Sequence, residues 1–199
     1  RILISELAGA SNVASKARKF NLQDDKELMA RLRDKVQQYE AEGYQFEVAE
    51  ASFEMLLRRE VGQTRIFFDL DNYHVIIRKD DGGQPVTEGT VKVRIGDRVE
   101  HHVAEGDGPV NALDAALRKA LLGYYPNLGE VSLTDYKVRV INSQAATAAR
   151  VRVIIESKDH DEHWGTVGVS ENIIDASWKA LVDSIEYKLL KDEERAKAK

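Results

Sequence analysis

Residues 91–122 read VKVRIGDRVEHHVAEGDGPVNALDAALRKALL, and two periodicities meet inside them. Val91, Val93 and Ile95 alternate as in a half-buried strand, Gly96-Asp97 marks a hairpin turn, and Val99 and Val103 lie on the return strand. Gly106-Asp107-Gly108-Pro109 then opens a helix on which Val110, Leu113, Leu117 and Leu121 recur at spacings of three and four. Pro109 falls at the first helical position, where its missing N–H is no loss. Tyr124-Tyr125-Pro126 ends the helix. A hairpin running directly into a helix places the chain in the α+β class.

Upstream, residues 66–79 are rich in aromatic and β-branched side chains and close on Asp80-Asp81-Gly82-Gly83, which predicts one more strand and a turn. The unit is therefore strand-strand-strand-helix. Downstream the same order returns: Tyr136, Val138 and Val140 alternate, as do Val151, Val153 and Ile155. A charged turn spans 157–162, a strand runs from Trp164 to Val169, and a helix carries Ile174, Trp178, Leu181, Ile185 and Leu189 on one face. At one constant offset Val103 matches Val167, Ala112 matches Ala176, Ala116 matches Ala180 and Leu117 matches Leu181. One such unit leaves an apolar sheet face with a single helix to cover it, which is a physical reason for pairing two. The repeats cover about residues 64–126 and 130–191.

The first 60 residues read as a helical linker and residues 61–199 as a second domain. Leu28, Leu32, Val36 and Tyr39 form a stripe over residues 24–42, Asp24 with Glu27 resembles a capping box, and Gly43 sits at a C-cap. A further helix carries Phe46, Ala49, Phe53 and Leu56, with Arg58-Arg59 near its negative end. Residues 6–20 read as a short helix broken near Gly9, and the run from Lys188 to the end reads as a fraying helix terminus.

With 43% apolar and 32% charged residues the chain should fold as an ordinary globular protein. A net charge of −5 without a Lys/Arg cluster argues against nucleic acid as a partner. The absence of cysteine removes disulfides, thiolate metal sites and thiol nucleophiles, and fits a reducing cytoplasm. No apolar run reaches membrane-spanning length, and the opening Arg1-Ile2-Leu3-Ile4 stops short of a signal-peptide core. The chain starts without Met inside an apolar segment, as a piece of a longer protein would, or as a processed terminus would.

Among candidate sites, the turn Glu105-Gly106-Asp107-Gly108 stands out. Its glycines allow backbone to approach a ligand, and free N–H groups at a helix start favour a carboxylate; a tight turn that simply needs glycine is the alternative. It is not a dinucleotide fingerprint, because the third glycine position holds Asn111. Ser170 in the matching turn reads most simply as a helix cap. His101 and His102 alternate across a strand and cannot share an ion, while His160 and His163 flank acids that offer at most an adventitious metal site. Gly168-Val169-Ser170 lacks the closing glycine of a nucleophile elbow, so no catalytic residue is assigned. Trp164 and Trp178 read as core anchors.

Four stretches carry a family resemblance. Ser5-Glu6-Leu7-Ala8-Gly9-Ala10-Ser11-Asn12 is similar to the segment after the catalytic barrel of the 2-isopropylmalate synthase / homocitrate synthase family, which includes citramalate synthases. Residues 42–54, EGYQFEVAEASFE, resemble the linker subdomain of the citramalate branch. Residues 106–113, GDGPVNAL, and 168–174, GVSENII, resemble the two helix starts of the regulatory domain. The resemblance implies a homodimeric regulatory region that binds a branched-chain amino acid, isoleucine in preference to leucine. It also implies a barrel elsewhere in the parent protein that holds acetyl-CoA and a divalent metal, with no cofactor in this region. Carried over by position, effector contacts fall on Gly106, Asp107, Gly108, Val110 and Asn111, on Leu133, Tyr136 and Val140, on Thr147 and Val151, and on Ser170 and Asn172.

Overall fold

A computed structural model describes residues 25–79, 81–141 and 149–197. Two helices come first, α1 (Lys26–Glu42) and α2 (Glu50–Glu60), joined through a single 3-10 turn, Phe46–Val48. Strands β1 (Asp69–Arg78), β2 (Val86–Ile95) and β3 (Arg98–Gly106) follow, then helix α3 (Pro109–Leu121). After a 3-10 turn, Pro126–Glu130, the pattern repeats as β4 (Ser132–Ile141), β5 (Arg150–Lys158), β6 (His163–Ser170) and α4 (Ile173–Lys197).

Each unit is an antiparallel three-stranded meander with the middle strand of the sequence in the middle of the sheet. The duplication extends to a shared irregularity. The β1–β2 register slips between Leu70 and Asn72, and the β4–β5 register slips between Leu133 and Asp135, so each outer strand bulges at its start.

The strand alternation sets which face each helix covers. Val91 and Val93 of β2 are buried in one cluster with Leu113, Leu117 and Leu121 of α3. Val153 and Ile155 of β5 enter that cluster with Trp178, Leu181 and Ile185 of α4, so the two units share a core. The other face of the second sheet is covered by α1 and α2: Ile154, Val167 and Val169 pack with Leu28, Leu32, Val36, Phe46 and Phe53. Among the described residues, no such helices cover the corresponding face of the first sheet. Val103 is therefore 46% exposed whereas its repeat mate Val167 is 1% exposed.

Three expectations need correction. The described cap of α1 is Asp25, whose Oδ1 accepts from the Leu28 amide at 2.9 Å; Asp24 and residues 6–20 lie outside the described residues. The second helix starts only at Glu50, because Gln45 is extended and residues 46–48 form a 3-10 turn, although Phe46 still reaches Phe53 with ring centroids 5.5 Å apart. The C-terminal helix does not fray at Lys188: it runs on to Lys197, and Lys188 is buried in an ion-pair network. Gly43 ends α1 as its position predicts, with φ at 110° and its N–H on Glu40 O at 3.0 Å.

Candidate functional site

The starts of α3 and α4 open on the same concavity. Gly108, the residue before α3, is extended and offers no side chain to cap the helix, so first-turn N–H groups are left for solvent or a ligand. At α4 the equivalent position is filled: Asn172 Oδ1 accepts from the Ile174 amide at 2.7 Å and the Asp175 amide at 3.3 Å. Ser170 is thus not the cap of α4; its Oγ accepts from the Asn172 amide at 3.2 Å and shapes the turn before it.

The concavity holds about 420 Å³ and is lined by Asp107, Gly108, Pro109, Val110, Asn111, Leu133, Tyr136, Ile173 and Ile174. Leu133 and Tyr136 come from β4, the outer strand of the second unit, so both units and three elements contribute. Tyr136 is held in place from two sides, its amide donating to Asp135 Oδ1 at 2.8 Å and its hydroxyl lying 3.2 Å from Ser177 Oγ of α4. The walls are mainly apolar; the polar side chains among the lining residues are Asp107, Asn111 and Tyr136. That combination suits a small molecule with one apolar arm and a charged head.

Of the sequence-derived positions, Asp107, Gly108, Val110, Asn111, Leu133 and Tyr136 meet here. Gly106 stands behind the wall, where a Cβ would come within 2.5 Å of the Ala112 nitrogen. Val140 and Val151 face each other across β4 and β5, away from the lining, and Val140 is 69% exposed. Thr147 lies outside the described residues. Ile173 and Ile174 were not among the positions assigned. The repeat offset that pairs Ala112 with Ala176 also pairs Pro109 and Val110 with these two, and was the signal available.

Val140 belongs to a further feature. Tyr136, Val138 and Val140 share the β4 face that looks toward α4; Tyr136 reaches Ser177 of α4, but α4 lies over β5 and β6, and among the described residues nothing covers Val138 and Val140, which are 38% and 69% exposed. On β1, Ile77 is likewise 60% exposed. Among the described residues no group of three or more His, Asp or Glu side chains could hold a metal ion. His102 bonds Glu100 at 2.8 Å, and the acids of the 159–162 turn are engaged by Lys188 and Arg195. No described helix is long and apolar enough to cross a membrane.

A family model for the LeuA allosteric (dimerisation) domain matches residues 47–189. The chain is 51% identical over 197 residues to an (R)-citramalate synthase of Geobacter sulfurreducens, covering 98% of this chain and 37% of that protein. It matches an (R)-citramalate synthase of Aquifex aeolicus with the same identity and coverage. A 2-isopropylmalate synthase of Clostridium kluyveri is 26% identical over 138 residues, 69% of this chain and 24% of that protein. The chain thus spans about 37% of the length of these two citramalate synthases.

Proposed function

This chain belongs to the LeuA allosteric (dimerisation) domain family, and from that premise we propose that it is the effector-sensing region of an acetyl-CoA:2-oxo acid condensing enzyme of the (R)-citramalate synthase kind, with isoleucine as its feedback ligand. The observation that carries this reading is the concavity between the two helix starts. The ligand's carboxylate is placed on the uncapped N–H groups of α3, its ammonium toward Asp107, and its side chain against Val110, Leu133 and Ile174. In the intact enzyme, on this reading, acetyl-CoA and a divalent metal act in the rest of the parent protein, in the cytoplasm, and this chain is catalytically silent.

Isoleucine and leucine are isomers, so buried area does not separate them and the branch position must. A shape difference of that size is worth about 1–3 kcal/mol in an apolar pocket. The expected result of calorimetry on the purified chain is isoleucine binding roughly tenfold to a hundredfold more tightly than leucine. Leucine binding equally or better would move the assignment to 2-isopropylmalate synthase, the kind of relative matched at 26%. Binding of neither, nor of valine, would reduce the chain to a structural dimerisation module.

A homodimer belongs to the same reading, supported by the uncovered Val138, Val140 and Ile77 on the outer strands. Light scattering at tens of micromolar is expected to give twice the monomer mass. Val140→Asp, placed on the exposed rim, should shift it toward monomer without unfolding; a monomeric parent chain would count against the dimer.

A further inference from the structure

Helix α4 is continuous from Ile173 to Lys197, and its parts touch different regions of the molecule. Ile173 and Ile174 border the concavity. About 13 Å further along, at 1.5 Å per residue, Asp183 Oδ1 accepts from Arg59 of α2 at 2.6 Å, and Glu186 Oε2 accepts from the same guanidinium at 2.8 Å. Ser52 of α2 donates to Asp183 Oδ2 at 2.6 Å and accepts from the Val167 amide of β6 at 2.9 Å. Beyond this, Lys191 donates to Glu54 at 2.6 Å and Glu194 pairs with Arg58 at 2.7 Å. The sister helix α3 directs its charged bonds elsewhere, Arg118 to Asp114, Leu128 O and Val131 O, and Lys119 to Val103 O.

The joint is built to transmit displacement. Burial raises both Asp183 and Glu186 above their usual range although Arg59 pulls both down, and for Glu186 the neighbouring Asp183 adds to the rise. Charge-assisted hydrogen bonds of this kind are short and directional, so α2 cannot slide along α4 without breaking them. Packed helices answer a local change by rigid shifts of about 1–2 Å.

We infer that α4 is the relay from the concavity to the linker, with Arg59, Asp183 and Glu186 as the positioning residues that pass movement of its first turn to α2. The inference rests on the effector reading for what moves that turn, but not for the mechanical link itself. Hydrogen exchange on the chain tests the two separately. In the first arm no ligand is used: Ile174→Ala loosens the first turn of α4. Exchange in residues 50–60 should then quicken at least about threefold, an opening sub-global in kind, while residues 86–95 stay unchanged. In the background Arg59→Met/Asp183→Asn/Glu186→Gln, uncharged and close in shape, the same substitution should leave residues 50–60 unaffected. Arg59→Lys, which keeps the charge but not the two-carboxylate fork, should give an intermediate response and serves if the triple variant does not fold. A response of equal size in all backgrounds, or none in the parent, overturns the relay. In the second arm isoleucine is added: slower exchange in 108–113, 173–176 and 50–60 supports both ideas. If isoleucine slows 108–113 and 173–176 but not 50–60, the relay fails and the effector site stands. If isoleucine changes nothing, the effector reading fails and the relay is judged by the first arm.

Discussion

Lys188→Met is expected to cost about 3–5 kcal/mol of stability, a fall in Tm of roughly 6–20 °C for a chain of this size. The Lys188 side chain is 3% exposed, and its Nζ lies 2.7 Å from Asp159 Oδ2 and 2.8 Å from Asp192 Oδ1. Asp159 also accepts the Asp161 and Glu162 amides on its other oxygen, each at 2.8 Å, which folds the β5–β6 turn back onto α4. Methionine fills the space of the stem but leaves two carboxylates without their buried cation. Burial alone would raise Asp159; Lys188 and the two turn amides overcome it and bring the carboxyl down to about 2. A folded value below the unfolded one means stability that is present above about pH 4 and lost as pH falls toward 2. The amount is about 2 kcal/mol at 1.36 kcal/mol per unit. Urea denaturation should therefore show a loss of stability between pH 4 and 2 that is larger in the parent than in Asp159→Asn by about 2 kcal/mol, the remainder coming from other paired carboxylates such as Glu54 and Asp175. Matching urea midpoints for Lys188→Met and the parent at pH 7 would show that the network contributes nothing.

This network also marks where reading the sequence stopped. Lys188 stands in a run of Lys and Glu that resembles any solvated helix end, and nothing local says that a turn some thirty residues earlier folds over it. The six strands and the last two helices were legible because period two and period 3.6 are properties of neighbours in sequence. The helix before Gly62 was misjudged at its start for the same reason. Phe46, Ala49 and Phe53 keep helical spacing even though the chain between them passes through a 3-10 turn. Alternation also tells which face a side chain takes, not what lies over that face. Val103 and Val167 hold the same place in two repeats, and it is the packing of α1 and α2 that buries Val167.

The candidate site was legible to a similar depth. Positions close to the helix starts converge because both helices begin at the same end of the paired units. Val140 was carried along the strand by family position. It lies about 13 Å from Tyr136 at 3.3 Å per residue, too far along β4 to share the concavity. Its exposure assigns it to the uncovered rim instead.

The two glycines of the first helix start separate fold from ligand. Gly106→Val should destabilise the chain by about 1–3 kcal/mol or more, the cost of forcing extra atoms into a packed site. A Cβ there would sit 2.5 Å from the Ala112 nitrogen and 2.6 Å from Asn111 Oδ1, so the end of β3 would have to leave α3. Gly108 differs on both counts. Its φ of −171° and ψ of 177° are extended backbone open to any residue, and a Cβ would meet no atom within 4 Å. Gly108→Val should accordingly lower Tm by only a few degrees, since a poor N-cap residue costs about 1 kcal/mol. It should nevertheless weaken isoleucine binding about a hundredfold, roughly 2.7 kcal/mol, because its methyl groups take up room beside the α3 N–H groups meant for the carboxylate. Calorimetry and thermal melts on both variants make the comparison. If Gly108→Val binds isoleucine within threefold of the parent, the ligand does not sit at this helix start, and the open turn is only the way the chain passes from β3 into α3.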